Sequence, residues 1–179
     1  MWETLIAADR AFGLWLASWL NHPWIDTVMI AASVIGARGA IWIVLGTITW
    51  AVRRSKGMAV WRLLLAVGLA GLLVDGITKP IVGRVRPWVD HPEYRDLGWR
   101  PESASFPSGH AATAAAGAFA LARVWPATAA PAWILAALIA FSRVALGVHF
   151  PSDVVVGFFL GALAAWFVCA RPPDPARLA

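Results

Sequence analysis

The sequence predicts an all-α fold, a polytopic membrane helical bundle of five to six transmembrane helices with an N-terminal amphipathic helix. Of the 179 residues, 60% are hydrophobic and only 14% are charged, which is far from the composition of soluble domains. The twelve tryptophans point the same way, because indole rings favour the membrane–water interface. We therefore expect residues 1–179 to form a single membrane-embedded domain. Five tryptophans lie near the ends of apolar runs: Trp42, Trp50, Trp61, Trp125 and Trp133.

Residues 1–21 are predicted to form an amphipathic helix that lies in the membrane interface, because their apolar side chains recur at helical spacing. Asp9 falls close to the apolar stripe, so a short span that begins near Phe12 stays open as an alternative. The acidic residues Glu3 and Asp9 stand where a signal peptide would have a basic flank. We therefore expect no cleaved signal peptide.

Two apolar segments follow the break at Pro23. Residues 24–35 are too few to cross a hydrocarbon core that needs about twenty residues, so a half-depth helix is expected, and a sixth span only if this segment crosses. Residues 40–52 and their neighbours are predicted as the first full span. That span ends at the basic residues of segment 53–56, which places this end in the cytoplasm because positive charge is retained there.

The rest of the chain alternates between long apolar runs and one polar loop. Residues 58–83 are predicted as a long outward helix, and residues 84–107 as a Pro-rich outer loop over the active site. Segments 109–124, 132–148 and 151–170 then run inward, outward and inward. The lone Cys169 excludes a disulfide within one chain and is assigned to packing. The net charge of +5 suits a partner bilayer with anionic lipid, and its scattered distribution indicates no nucleic-acid binding.

Three ionisable residues stand inside this apolar sequence at the end of the chain. Arg143, His149 and Asp153 fall within eleven residues, and an ionisable group at membrane depth indicates a functional site. A juxtamembrane arginine beside a helix-capping aspartate is the plain alternative. The predicted topology brings this segment to the same level as Lys79 and Arg86 and as the Ser108-Gly109-His110 segment. We therefore expect an anionic ligand to bind between the three clusters.

Each cluster has residue types that suit an anion. Ser108 is a favoured N-cap and Gly109 allows close approach, so the free amides of the next helix would form an anion site, with an ordinary helix cap as the alternative. His110 lies in the first turn, where an imidazole can exchange a proton with the ligand. Lys79 is spaced to pair with Asp75 and, with the arginines, to neutralise a phosphoryl group.

The spacing of His149 and Asp153 is that of a nucleophile or base and the carboxylate that orients it. A carboxylate that accepts from one ring nitrogen leaves the lone pair of the other nitrogen free to attack. Metal ligation is the rival interpretation, but no third ligand of the usual kind lies at a matching position, and the surrounding cations would repel a metal ion. We therefore expect neither a metal nor another cofactor.

Together these residues resemble the three-part signature of the type 2 phosphatidic acid phosphatase family. The matching segments are Lys79-x6-Arg86-Pro87, Pro107-Ser108-Gly109-His110 and Ser142-Arg143-x5-His149-x3-Asp153. The resemblance implies that His149 is the nucleophile, Asp153 its orienting carboxylate and His110 the general acid. It also implies that the phosphate is held by Lys79, Arg86, Ser108, Gly109 and Arg143.

The resemblance further implies an integral membrane phosphatase that acts without metal through a phosphohistidine. Its expected substrate is a lipid phosphate: undecaprenyl diphosphate, phosphatidylglycerophosphate or phosphatidic acid. The expected location is the inner, or plasma, membrane of a bacterium, with the active site facing the periplasm or exterior. The related vanadium haloperoxidases are soluble, and the apolar runs argue against one. From a non-catalytic class, a small polytopic anion channel or transporter would use the same cationic cluster as a binding site.

Overall fold

The computed structural model describes residues 2–52, 57–90 and 100–170, and every regular element within these ranges is helical. The predicted basic segment 53–56 lies outside the described residues. A π-helical segment, Leu72–Thr78, joins α4 to α5, and short 3-10 turns, Ala37–Gly39 and Pro126–Thr128, precede α3 and α8. The α-helices are α1 (Trp2–Trp19), α2 (Pro23–Ile35), α3 (Ala40–Val52), α4 (Gly57–Gly71), α5 (Lys79–Val82), α6 (Pro87–Asp90), α7 (Gly109–Val124), α8 (Ala129–Ala145) and α9 (Pro151–Cys169).

Three described helical stretches are long and apolar enough to cross a membrane: Gly57–Val89, Pro126–Ala145 and Pro151–Cys169. A fourth candidate is the pair α2 and α3, which meet at a bend of 43°. Helix α3 has 13 residues, or roughly 20 Å at 1.5 Å per residue, and a hydrocarbon core is about 30 Å thick. Residues 40–52 alone are therefore too short to cross, and the prediction that they cross together with their neighbours stays a prediction. The described residues thus give three or four candidate spans.

Helix α7 is the centre of the bundle. It packs against α4, α8 and α9, and nearly all of its side chains are buried. Its run of alanines allows these neighbours to approach closely, as in other membrane bundles. Helix α9 comes nearest, because a Cβ atom on Gly157 would overlap the main chain of Ser108 and one on Gly161 would overlap the main chain of Ala112. This packing fixes the start of α9 against the start of α7.

Two tryptophans show where the interface prediction holds and where it fails. Trp61 is 69% exposed, as expected of a ring at the surface of the bundle. Trp42 is fully buried in the core, where its indole lies over Gly117, which has no Cβ to obstruct it. The prediction that Trp42 lies at the headgroup level was therefore wrong. Cys169 is buried in the same core, as its assignment to packing predicted.

Helix α1 lies on the outside of the bundle, against α8 and α9. Only Gly13 and Ala17 are buried among its described side chains, while large apolar side chains such as Phe12 and Trp19 are exposed. A helix is therefore present over Trp2–Trp19, and its amphipathic character and its place in the membrane interface stay predictions.

Candidate active site

The three predicted clusters line one cavity of about 520 Å³. Ser108 and Asp153 are fully buried and are not among its lining residues. Neighbouring residues from the α2–α3 bend, from the π-helical segment and from the end of the 84–107 loop complete the described lining. Of the predicted site residues, the cavity brings together Lys79, Arg86, Gly109, His110, Arg143 and His149.

His149 reaches this cavity because α8 ends in a tight reversal. Gly147 has φ of 67°, a left-handed conformation that glycine adopts without a Cβ clash. The chain then returns on itself, and the main-chain N–H groups of Val148 and His149 each donate to the carbonyl of Arg143 at 3.1 Å. The spacing between Arg143 and His149 is therefore that of a helix end, which places both side chains at one level.

Asp153 is positioned by the start of the next helix. Pro151 is the first residue of α9, a position where its fixed φ is favourable and its missing N–H costs nothing. The Asp153 carboxylate reaches back one turn and its Oδ2 accepts from the N–H of Phe150 at 2.9 Å. The three residues between His149 and Asp153 are therefore the first turn of a helix capped by its own acidic side chain.

The His149 ring lies between this carboxylate and the cavity. Its Nδ1 lies 3.5 Å from Oδ2 of Asp153 and 3.4 Å from the hydroxyl of Ser105, which donates to Oδ2 at 2.5 Å. Its Nε2 lies 3.3 Å from Nη1 of Arg86. With the proton on Nδ1, Nε2 directs its lone pair towards the cationic side of the cavity.

Burial keeps the His149 ring neutral. It lowers the pKa of His149 from 6.5 to about 4; the hydrogen bond to Asp153 raises the pKa in part, and the nearby positive charges of Arg86 and Arg143 lower it. A ring with that pKa is neutral at neutral pH, and with its single proton on Nδ1 the lone pair of Nε2 is free. It is therefore in the state that a nucleophile requires.

Two of the arginines that line the cavity, Arg86 and Arg143, donate to neutral oxygen acceptors. Arg86 donates from Nε to the carbonyl of Ser103 at 2.6 Å and from Nη1 to the carbonyl of Val148 at 2.8 Å. Arg143 donates to the hydroxyl of Ser33 on α2. Because carbonyls and hydroxyls orient a guanidinium without cancelling its charge, both side chains keep their attraction for an anion.

Lys79 is paired with Asp75, as its spacing predicted. The Nζ of Lys79 lies 2.7 Å from Oδ1 of Asp75, whose side chain is 58% exposed. The carboxylate lies over Gly109, since a Cβ there would come within 2.9 Å of both of its oxygens. Glycine at this position therefore leaves room for the Asp75 carboxylate at the start of α7, next to Lys79.

Ser108 acts as the cap of α7. Its hydroxyl accepts from the N–H of Ala111 at 3.5 Å, and its own N–H donates to the carbonyl of Asp153 at 2.9 Å. Its role in holding phosphate stays a prediction. His110, in the first turn of the same helix, lines the cavity and is hydrogen-bonded to the main chain of Ser33.

A second network behind the cavity was not predicted. Arg84 donates from Nη1 to Oδ1 of Asp153 and to the hydroxyl of Ser152, both at 2.7 Å, and from Nη2 to Asp9 at 2.8 Å. Asp9 also accepts from the N–H of Ser152 at 2.9 Å. An acidic residue close to the apolar stripe of α1 was the one sequence signal for this network. The contact explains why Asp9 departs from the amphipathic pattern.

Within the described residues, no three His, Cys, Asp or Glu side chains are grouped closely enough to hold a metal ion. The polar groups that line the cavity are instead mostly donors. An arrangement of one neutral imidazole, an orienting carboxylate and several cations is suited to attack on a phosphoryl group.

Comparison with known proteins identifies the family. The model of the PAP2 superfamily matches residues 59–175. Decaprenylphosphoryl-5-phosphoribose phosphatase of Mycolicibacterium smegmatis is 35% identical over 144 residues, which cover 79% of this chain and 76% of that protein. Undecaprenyl-diphosphatase of Sulfolobus acidocaldarius is 30% identical over 159 residues, which cover 84% of this chain and 74% of that protein.

Solved structures agree with the sequence relatives. The PAP2 type phosphatidylglycerolphosphate phosphatase from Bacillus subtilis superposes with a TM-score of 0.74 and 31% identity, over 92% of this chain and 84% of that chain. LpxE of Aquifex aeolicus superposes with a TM-score of 0.72 and 26% identity, over 88% of this chain and 93% of that chain. The resemblance predicted from the three motifs is confirmed: the chain belongs to the PAP2 superfamily and is an integral membrane enzyme of that family.

Proposed function

We propose that this enzyme is a metal-independent phosphatase that removes phosphate from membrane lipid phosphates or diphosphates through a phosphohistidine on His149. The observation that carries the proposal is the position of His149 Nε2, which lies 3.3 Å from Arg86 on a cavity wall that also contains Lys79 and Arg143. These cations would neutralise the phosphoryl oxygens while the neutral imidazole attacks. A channel or transporter would have no use for an oriented nucleophile.

In the first step, the lone pair of Nε2 forms a bond to phosphorus as the bond from phosphorus to the leaving oxygen breaks. His110 gives its proton to that oxygen. Asp153 stabilises the positive charge that develops on the His149 ring. In the second step, a water molecule gives a proton to His110 and attacks the phosphohistidine, which releases inorganic phosphate and restores the neutral His149.

The named relatives support a lipid substrate. Their names specify polyprenyl phosphate derivatives and a diphosphate, and other relatives are named phosphatidylglycerophosphatase B and lipid A 1-phosphatase. All of these are amphiphiles whose phosphate stands at the membrane surface. We propose the same class for this chain, with undecaprenyl diphosphate, phosphatidylglycerophosphate and phosphatidic acid as the compounds to test.

We propose that the cavity faces the periplasm or exterior of a bacterial inner membrane. The basic residues of segment 53–56 come directly before α4 in the sequence, whereas Lys79 follows α4 and the π-helical segment, and the positive-inside tendency would place the basic segment in the cytoplasm. With the cavity at the outer surface of the membrane, a lipid headgroup enters it while the lipid tails stay in the bilayer.

The test is phosphate release by the purified full-length protein from the three lipids, for wild type, His149→Asn and His22→Asn. His22 stands at the break between α1 and α2 and is exposed, so its variant controls for loss of a histidine. We expect His149→Asn to lose essentially all turnover and His22→Asn to keep it. A radiolabelled phosphoenzyme, labile in acid and stable in base, is expected in wild type and absent in His149→Asn. Turnover of His149→Asn within about tenfold of wild type would refute the assignment.

A further inference from the structure

Arg38 lines the active-site cavity, although it belongs to none of the three motifs. It lies in the bend between α2 and α3, where its φ of 50° and ψ of 20° are left-handed. This conformation is unfavourable for an L-residue, because its Cβ comes too close to the following carbonyl oxygen. Among the described residues it is the only one other than glycine with positive φ. An arginine in place of a glycine or asparagine therefore indicates that its side chain has a use at this position.

The bend that carries Arg38 is fixed against the wall that carries His110. A Cβ atom on Gly39 would come within 2.6 Å of Val67 and 3.5 Å of Thr113, and Thr113 stands one turn after His110 on α7. On the other side of the bend, the main chain of Ser33 is hydrogen-bonded to His110. Arg38 therefore belongs to the side of the cavity where the proposed general acid meets the leaving group.

The charge of Arg38 is not neutralised by the described part of the protein. Asp75 is the one carboxylate in the described cavity lining, and it is 2.7 Å from Lys79. Within the described ranges, no hydrogen bond or ion pair joins Arg38 to a protein group, and its side chain is exposed. The three motif cations and His149 already serve one phosphoryl group. Arg38 therefore offers a further cation to a different part of the ligand.

We infer that Arg38 binds a second anionic group, located in the leaving group of the substrate. The inference rests on the proposed function and narrows its substrate class. The favoured substrates are lipids whose leaving group has a phosphate of its own, either a diphosphate or a phosphomonoester attached through a phosphodiester. A simple phosphomonoester leaves as a neutral alcohol and gives Arg38 nothing to bind.

The inference is tested with substrate pairs that share their apolar chain. Farnesyl diphosphate and farnesyl monophosphate form one pair; phosphatidylglycerophosphate and phosphatidic acid form the other. The principal variant is Arg38→Asn, because asparagine tolerates left-handed geometry, and Arg38→Lys keeps the charge. Arg123→Asn is the matched control. Arg123 is exposed in the last turn of α7, so this variant removes the same charge at a position away from the cavity.

The expected loss of activity follows from the strength of a hydrogen bond between Arg38 and a charged group. We expect Arg38→Asn to lose roughly 10- to 100-fold more kcat/KM on the two-anion member of each pair than on its partner. Arg38→Lys should recover most of that difference, and Arg123→Asn should match wild type on all four compounds.

Two results would overturn the inference. An equal loss on both members of a pair would assign Arg38 to the turn or to the transferred phosphoryl group, and no loss on either would show that it contacts no part of the substrate. Failure of wild type to release phosphate from any of the four compounds would instead refute the proposed function, and the role of Arg38 with it.

Discussion

Replacing Arg84 by glutamine is expected to slow phosphate release about 10- to 50-fold. Arg84 donates to Oδ1 of Asp153 at 2.7 Å, whereas Ser105 and the N–H of Phe150 both bond to Oδ2. The variant therefore deprives the fully buried carboxylate of its charged donor. A hydrogen bond to a charged group contributes roughly 1.5–3 kcal/mol, and about 1.4 kcal/mol is tenfold in rate. The side chain of Arg84 is 21% exposed, so solvent screening moves the expected loss to the lower part of that range.

The assay is steady-state phosphate release combined with single-turnover formation of the phosphoenzyme. Because Arg84 acts on the orientation of Asp153 and lies behind the cavity wall, kcat and the single-turnover rate should fall while KM changes little. Asp9→Asn should give a loss of a few-fold, since Asp9 holds Arg84 at 2.8 Å. Combining both changes should be little slower than Arg84→Gln alone, because Asp9 acts largely through Arg84.

Glu3→Gln is the matched control, because it removes the same charge from an exposed position on the same helix. It should leave kcat unchanged. Turnover of folded Arg84→Gln within threefold of wild type would show that Asp153 needs no support at Oδ1. A Glu3→Gln enzyme as slow as Asp9→Asn would attribute the effect to the charge of α1 and not to the contact.

The other predictions concern the reaction itself. Asp153→Asn should be slower than wild type but faster than His149→Asn, because the amide keeps the volume and loses the charge that stabilises an imidazolium. His110→Asn should lose most kcat/KM on substrates with poor leaving groups, and an unchanged dependence on leaving-group pKa would remove its acid role. Because the pKa of His149 is lowered to about 4, its protonation should reduce kcat/KM near pH 4; once substrate ionisation is accounted for, a fall centred at 6.5 would contradict this. Chelators should leave the rate unchanged and vanadate should inhibit; a chelated sample that recovers with Mg²⁺ would contradict metal independence.

Sequence reasoning worked best where function and local structure share the same residues. The spacing from Arg143 to His149 and on to Asp153 is a helix end followed by a helix start, so its geometry is contained in a few neighbouring residues. The pairing of Lys79 with Asp75 was predictable for the same reason, since residues four apart on a helix meet. The resemblance built on these segments was sufficient to identify the family.

Contacts between distant segments could not be predicted in this way. Ser33 bonds Arg143 from 110 residues away, and Asp9 bonds Ser152 from 143 residues away; both depend on how α1 and α2 dock on the bundle. The hydropathy pattern also could not predict the number of membrane spans. The bend at Gly36–Gly39 turns two short apolar runs into one bent pair, and this bend depends on the packing of Gly36 against Ile139 and of Gly39 against Val67.

The burial of α7 separates the parts of the molecule that can change from those that cannot. Its first turn carries His110, and its small residues are enclosed by α4, α8 and α9, so a larger side chain there would displace several helices at once. Helices α1 and α2, by contrast, expose most of their surface, and the described residue that lines the cavity in this part of the chain is Arg38, in the bend after α2. If Arg38 contacts the leaving group as proposed, substitutions in this bend would change the headgroup preference without altering the residues proposed for hydrolysis. A protein engineer seeking a different lipid should vary that segment first.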